Sequence, residues 1–454
     1  MQALEIRGKR VSVIGGARSG IAVARLLKSH GAEVFLSEKA PGESMQEVRA
    51  ELDRLLIGYE FGGNTRKALS ADILVLSPGV PSDIPVVKEA VARSKPVVSE
   101  IEVGSWFCPA PIVAVTGTNG KTTTTTLIGR MFEDAKRPSV TGGNIGVAFS
   151  QLVDRLNEQS TAILEISSFQ LDHITTFRPR VSVLLNITSD HLDRYGHSFE
   201  SYVASKCRVF LNQREGDCVV YNYDDPTTRD NVERRVDPTV KQLPFSTETT
   251  VSEGAYLDGD RLRVTIGSEF SDVIEVGEIS IRGKHNLYNA MAATLAAKAM
   301  KISTASLRST LRNFKGVEHR LEFVREFGGV TYVNDSKATN VDAVWYALQS
   351  FDQNIVLLLG GRDKGNDYSR LVPLVRKRVK SIVAVGESAS TVVNAFSHVT
   401  TTKKATTMEE AVRIAASLAG PGEVVLLSPA CASFDWFNNY EHRGRVFKEI
   451  VHSL

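Results

Sequence analysis

Short apolar runs alternate with amphipathic stretches along most of this chain. K-R-V-S-V-I leads into a glycine-rich turn, G-G-A-R-S-G, and then into I-A-V-A-R-L-L, whose apolar positions recur at helical spacing. Two further strand patterns follow: A-E-V-F-L-S-E, ending at Glu38, and A-D-I-L-V-L-S-P-G-V-P, ending in a Pro/Gly turn. K-P-V-V-S closes this unit near residue 99. Strand and helix in alternation predict a parallel, doubly wound sheet, in which ligands lie beyond the carboxyl ends of the strands.

A second unit opens with P-I-V-A-V-T and continues through A-I-L-E-I and V-S-V-L-L-N-I, each followed by polar residues and a helical pattern. From 216 to 282 the texture changes to short alternating runs such as C-V-V-Y-N and R-L-R-V-T-I, which predict a small antiparallel excursion. The Ala-rich N-L-Y-N-A-M-A-A-T-L-A-A-K-A-M returns to helical periodicity. From Val317 onward, G-V-T-Y-V-N-D-S, I-V-L-L-L-G-G, S-I-V-A-V-G and E-V-V-L-L-S-P predict four strands of another parallel α/β sheet. The expectation is an α/β chain of three domains, 1–99, 100–316 and 317–454. Its 454 residues exceed what one hydrophobic core usually serves.

Charge narrows the function. A formal net charge of +2, with Lys and Arg spread along the chain, provides no long-range field for nucleic acid or an anionic membrane. Cys108, Cys207, Cys218 and Cys431 lie far apart without a C-x-x-C pair, so they form neither a zinc knuckle nor a disulfide framework. They read as the reduced thiols of a cytoplasmic protein. The first strand begins within ten residues of the start, which leaves no room for a signal peptide. No apolar run is long enough to span a bilayer, so no membrane insertion is expected.

The candidate chemistry begins at T-G-T-N-G-K-T-T-T-T-T, residues 116–126. The usual phosphate-loop pattern is G-x-x-x-x-G-K-[ST], and its first glycine would fall on Val115, so the loop is shortened. Its context is still that of an anion site, because a strand runs into it and a helix leaves it, exposing N–H groups and the positive end of the helix dipole. Lys121 can add charge at the outer phosphates and Thr122 can ligate Mg²⁺. A glycine turn capped by threonines is the plainer reading, but it leaves the lysine unexplained. In the turn at 15–20, Ala17 would crowd a pyrophosphate approaching the backbone, while Glu38 stands where a ribose-binding acid is expected. Close helix–strand packing accounts for that turn equally well. Glu165 in L-E-I-S-S-F-Q, and Asp190, His191 and Asp193 in N-I-T-S-D-H-L-D-R-Y, fall at strand ends. Hard oxygen ligands of this kind suit Mg²⁺. A histidine among acids is open to either a structural or a functional role.

Together, T-G-T-N-G-K-T, L-E-I-S-S-F-Q-L, D-H-L-D-R-Y, H-N-L-Y-N-A and E-H-R resemble the Mur ligase family, enzymes that build the peptide of bacterial peptidoglycan and are related to folylpolyglutamate synthetases. V-N-D-S-K-A-T-N, L-L-L-G-G-R-D-K-G-N-D-Y and L-S-P-A-C-A-S-F-D resemble its D-glutamate-adding members, and the resemblance covers essentially the whole chain. It implies a Rossmann-like UDP-binding domain, a central P-loop-type ATPase domain with a small antiparallel sheet, and a Rossmann-like C-terminal domain. It also implies ATP-dependent joining of D-glutamate to UDP-N-acetylmuramoyl-L-alanine. ATP would phosphorylate the substrate carboxylate, and the amine of D-glutamate would then displace phosphate.

Position by position, the resemblance assigns Gly117, Thr118, Asn119, Gly120, Lys121 and Thr122 to the triphosphate, with Lys121 at the transferred phosphate. Thr122 and Glu165 would hold one Mg²⁺, and His191 a second. Lys206, in S-Y-V-A-S-K-C-R, matches the lysine that is carbamylated in the family and would stand near that metal; its residues alone describe an ordinary helix lysine. Asn286, Asn289, Arg320 and Asp335 would meet ATP. Ala17, Arg18, Ser19, Glu38, Lys39, Ser77, Gly79, Asn144 and Ser167 would bind the UDP-sugar. Lys337, Thr339, Lys364, Ser433 and Tyr440 would form the D-glutamate pocket, although Ser433 equally reads as a helix N-cap. The resemblance further implies a monomer that closes its domains around substrates. Ser189 departs from the family, where proline is typical, and bears on loop rigidity.

Two rival readings stand beside this one. A sibling Mur ligase or a folylpolyglutamate-synthetase-like ligase would add a different amino acid; the diamino-acid enzyme would carry a D-N-P-R type segment where this chain has N-D-S-K-A-T. A Rossmann oxidoreductase or a nucleotide-sensing protein would have no use for Lys121, Glu165 and His191 together.

Overall fold

The computed structural model describes residues 6–351, 354–363 and 365–454. The chain divides into two compact units. The first comprises residues up to Glu278 together with Tyr288–Arg312, and the second comprises Ile279–Leu287 with Asn313–Leu454.

The first unit contains two sheets. One has strands β1 (Arg10–Ile14), β2 (Glu33–Glu38), β3 (Gly58–Phe61), β4 (Ile73–Leu76) and β5 (Val97–Ser99), in the order β3-β2-β1-β4-β5. Every pairing in it is parallel. The chain moves outward from β1 to β2 and then returns to its other side at β4, so the crevice at their carboxyl ends is a topological switch point. G-Y-E-F, which forms β3, lacked the apolar run that marks a strand and was not anticipated.

The other sheet has β6 (Ile112–Thr116), β7 (Ser139–Gly143), β8 (Thr161–Glu165), β9 (Val181–Leu184), β10 (Cys218–Asn222), β11 (Lys241–Ser246), β12 (Gly254–Asp258), β13 (Arg261–Ile266) and β14 (Glu269–Glu275). Their order is β14-β13-β12-β11-β10-β9-β6-β8-β7. The antiparallel excursion is narrower than the alternating texture predicted. Strand β10, buried at all five positions, pairs in parallel with β9 and β11. Only β12, β13 and β14 pair antiparallel, and they extend the same sheet. Burial on both sides gives C-V-V-Y-N its parallel place, whereas β13 alternates buried and half-buried residues.

In the second unit, β15 (Glu322–Phe327), β16 (Val330–Asn334), β17 (Ile355–Gly360), β18 (Val379–Val385), β19 (Thr401–Lys404) and β20 (Val424–Leu427) form one sheet in the order β15-β16-β20-β17-β18-β19. Its pairings are parallel except at the β15–β16 edge. Successive residues of β17 enter opposite cores. Leu357 and Leu359 pack with Val344 and Phe396, while Val356 and Leu358 pack with Phe447 and Val451. Helices on both faces explain why I-V-L-L-L-G is a continuous apolar run.

Candidate active site

The shortened loop is a built structure. It leaves β6 at Gly117, with φ +149°, and enters the helix Lys121–Asp134 through Gly120, with φ +86°. Asn186, just beyond β9, clamps the loop from both sides: its Oδ1 accepts from Asn119 N at 2.9 Å and its Nδ2 donates to Asn119 O at 3.1 Å. Thr118 Oγ1 donates to Thr188 O at 3.0 Å and lies 3.1 Å from the Tyr202 hydroxyl. A Cβ at Gly120 would stand 2.2 Å from Asn289 Oδ1, which itself accepts from Thr124 Oγ1 at 3.3 Å. One of the trailing threonines therefore has a specific part, holding Asn289 over the loop.

Lys121 Nζ donates to Gly117 O and Thr118 O, both at 2.8 Å. Lys206 Nζ donates to the same Gly117 carbonyl at 2.8 Å, although Lys206 lies in the helix Phe199–Cys207. Lys206 is 2% exposed. Burial, with the Lys121 cation beside it, pushes its amine well below the ordinary lysine value, against the opposing pull of Asp190 and Glu165. Its Nζ stands 4.8 Å from the centre of the Tyr202 ring. Tyr202 and Asn186 escaped the sequence reading; the one available signal was Tyr202 at the i−4 position from Lys206 on a helix.

Glu165 ends β8, buried beside the loop. Its Oε2 accepts from Thr122 Oγ1 at 2.7 Å and its Oε1 from Asn144 Nδ2 at 2.9 Å. Thr122 and Glu165, assigned to one metal, are thus brought together. Hydroxyl and carboxylate oxygens of this kind fit Mg²⁺. His191 sits at φ +52° on an exposed turn, where Asp190 Oδ1 accepts its backbone N–H at 2.9 Å. Its ring meets Phe169 edge-on at 5.1 Å. For a metal shared with His191, Lys206 fits only once carbamylated, because an amine offers no anionic oxygen.

The crevice of the first sheet is a cavity of about 460 Å³ lined by Ala17, Arg18, Ser19, Glu38, Lys39, Ser77, Gly79 and Asn144, all expected there, and also by Asn64 and Pro78. Several of these side chains build the crevice. Glu38 accepts from the backbone N–H groups of Gly16 and Ala40, and Ser77 Oγ donates to Gly15 O at 2.9 Å. Ser167 is not among the lining residues; its side chain and backbone N–H engage Gln170 in a capping box that starts the helix Ser168–Leu171.

In the second unit the candidate residues gather beyond β16 and β20. Arg443, 2% exposed, donates to Ser336 Oγ at 2.9 Å, Ser336 O at 2.7 Å and Cys431 O at 3.1 Å, tying the D-S-K-A-T and A-C-A-S segments together. Lys337 Nζ lies 5.5 Å from the centre of the Tyr440 ring, and Lys337 N donates to His319 O at 3.0 Å. Ser433 is buried; it does not cap a helix, since Asn439 caps Tyr440–His452. Thr339 is half-buried, one residue before Asn340, which caps Val341–Gln349. Lys364 lies outside the described residues. Burial pushes the Asp335 carboxyl up to about 7, with the Arg320 guanidinium opposing. Asn286 and Asn289 share the helix Lys284–Ala299, but Asn286 groups with the second unit and Asn289 with the first. Glu318, His319 and Glu322 cluster tightly, yet Lys448 pairs with both carboxylates and offsets their charge.

Residues 10–86 match the MurD N-terminal domain, residues 115–297 the Mur ligase middle domain, and residues 319–431 the Mur ligase glutamate ligase domain. The UDP-N-acetylmuramoylalanine–D-glutamate ligase of Salinibacter ruber is 50% identical, over 99% of each chain. That of Chloroherpeton thalassium is 47% identical, again over 99% of each chain. Among solved structures, the UDP-N-acetylmuramate-alanine ligase of Thermotoga maritima shares the fold with a TM-score of 0.60 at 18% identity, over 98% of this chain and 99% of that one. The MurF ligase of Thermotoga maritima, in complex with ADP, shares it with a TM-score of 0.57 at 16% identity, over 100% and 97%. Full-length identity at this level, joined to the three domain matches in order, establishes that the chain belongs to the Mur ligase family.

Proposed function

We propose that this chain joins D-glutamate to UDP-N-acetylmuramoyl-L-alanine, converting ATP to ADP and phosphate, and does so as a cytoplasmic monomer. Domains 1–99, 100–316 and 317–454 serve the UDP-sugar, ATP and D-glutamate respectively. The observation that carries the reading is the 50% identity with a D-glutamate ligase across 99% of both chains. Among the described residues no helix is long and apolar enough to cross a membrane.

A carboxylate does not react with an amine at neutral pH until one of its oxygens becomes a leaving group. The alanyl carboxylate attacks the terminal phosphorus, ADP departs, and an acyl phosphate forms. The D-glutamate nitrogen then attacks the acyl carbon; phosphate leaves, a proton is lost from nitrogen, and an amide remains. Lys121 meets the negative charge that builds on the phosphoryl oxygens, and the loop carbonyls at Gly117 and Thr118 aim its ammonium. Glu165 orients Thr122, and Asn186 keeps the loop's N–H groups in place. Bound Mg²⁺, held by Thr122 with Glu165 and by His191 with carbamylated Lys206, would neutralise phosphate oxygens. Burial favours the neutral amine of Lys206, the form that adds CO₂. In the second unit, Lys337, Lys364, Thr339, Ser433 and Tyr440 supply the cations and hydroxyls a dicarboxylate requires, with Arg320 and Asp335 serving ATP.

The deciding measurement is phosphate release with UDP-N-acetylmuramoyl-L-alanine and ATP. Release should require D-glutamate; release driven by L-alanine or a diamino acid would transfer the chain to a sibling activity.

A further inference from the structure

The turn Ser77–Gly79 forms one rim of the UDP-sugar crevice, and a side chain from the neighbouring sheet supports it. Arg194, three residues beyond His191, donates from Nη1 to Pro78 O at 3.2 Å and from Nη2 to Gly79 O at 3.3 Å. The carbon at the centre of its guanidinium lies 4.2 Å from the centre of the Phe169 ring. That ring meets His191 edge-on at 5.1 Å and stacks with Tyr195 at 6.1 Å. Tyr195 in turn donates to Asp172 Oδ2 at 3.0 Å and stands 3.2 Å from Ser205 Oγ, beside Lys206. A continuous series of contacts thus runs from the crevice rim to the two residues assigned to the second metal.

We propose that Arg194 is a positioning residue that sets the UDP-sugar crevice in register with the phosphate loop, an inference that rests on the substrate reading above. Only arginine meets the geometry: one planar fork bonds two successive carbonyls while its face stacks on an aromatic ring, whereas a lysine ammonium cannot do both. The guanidinium also leaves positive charge beside the crevice, where Arg18 and Lys39 already line the wall and a diphosphate is to be held. Holding the rim fixes how far the substrate carboxylate extends toward Lys121, and acyl phosphate formation depends on that distance. Ser82 Oγ, 2.8 Å from His173 Nε2 in the turn after the helix Ser168–Leu171, adds a second contact to the same rim segment, so Arg194→Met should leave the ligand-free protein folded.

The test compares wild type, Arg194→Met and Arg194→Lys. UDP-N-acetylmuramoyl-L-alanine and a non-hydrolysable ATP analogue are titrated separately by calorimetry, and KM for each substrate is measured. Arg194→Met should weaken UDP-sugar binding on the order of tenfold, because the ligand must then order a rim that Arg194 no longer holds, and should raise its KM to match. Affinity for the ATP analogue and the melting temperature of the ligand-free protein should stay at wild-type values, and Arg194→Lys should fall between the two. Wild-type UDP-sugar affinity in Arg194→Met would overturn the inference, and so would equal losses for both ligands together with a lower melting temperature. A wild-type protein that failed to bind the UDP-sugar would instead overturn the substrate reading.

Discussion

Lys206 shows how little a residue's identity says about its chemistry. In sequence it is a lysine near the end of a helix; in the fold it is a buried amine sharing the Gly117 carbonyl with Lys121. Lys206→Ala should abolish ligation, and a short carboxylic acid added to the assay should restore part of the rate by replacing the carbamate. Full activity in the variant would remove Lys206 from the mechanism. Asp335 leads to a pH prediction. Its carboxyl is raised from 3.8 to about 7, chiefly by burial. Below 3.8 it is protonated in both folded and unfolded chains and carries no penalty. As pH rises toward 7 the unfolded chain releases its proton first, so the folded state loses stability, and above 7 the loss is constant. At about 1.4 kcal/mol per pKa unit, the penalty is at most on the order of 4 kcal/mol. Asp335→Asn should lack it, so denaturant unfolding at pH 4.5 and pH 8 should show the wild type losing ground to the variant. Parallel pH dependences would contradict the assignment.

Among the elements, the loop and the helix Lys121–Asp134 act as one. The pattern T-G-T-N-G-K-T was legible because its chemistry is local: two glycines, a lysine and a helix start. What keeps it rigid was not legible, since Asn186 and Asn289 arrive from 67 and 165 positions along the chain, measured to Asn119 and Thr124. Gly120→Ala should destabilise the first unit by about 2 kcal/mol, from a left-handed backbone and the lost Thr124–Asn289 bond. It should also weaken ATP-analogue binding. Unchanged stability and affinity would show that the loop relaxes freely. Ser167 and Gln170, three positions apart, form a capping box, a local contact at the start of the helix Ser168–Leu171. Strands buried on both faces were found from their apolar runs, while β3 and the edge strands β15 and β19 were missed because their polar or exposed residues leave no such run.

Across the whole molecule, each ligand should stabilise the unit that binds it. A ligand at a hundred times its Kd adds about 2.7 kcal/mol to unfolding of the folded body that holds it. Hydrogen exchange should therefore show an ATP analogue protecting the first unit around β6 and the phosphate loop, and D-glutamate protecting the second around β16 and the helix Tyr440–His452. D-glutamate protection confined to the first unit would refute the assignment. Sequence alone determined the fold class, the family, the glycine loop at 116–122, and many of the residues that line the crevice of the first sheet. These rest on periodicity and on motifs whose members lie within a few positions of one another. Tertiary structure alone decided which hydroxyl meets Glu165, why the amine of Lys206 is depressed, that Arg443 ties the two segments around Ser336 and Cys431, and that Arg194 supports the Ser77–Gly79 rim. Burial and long-range contact set those properties, and neither is written in any short stretch of the chain.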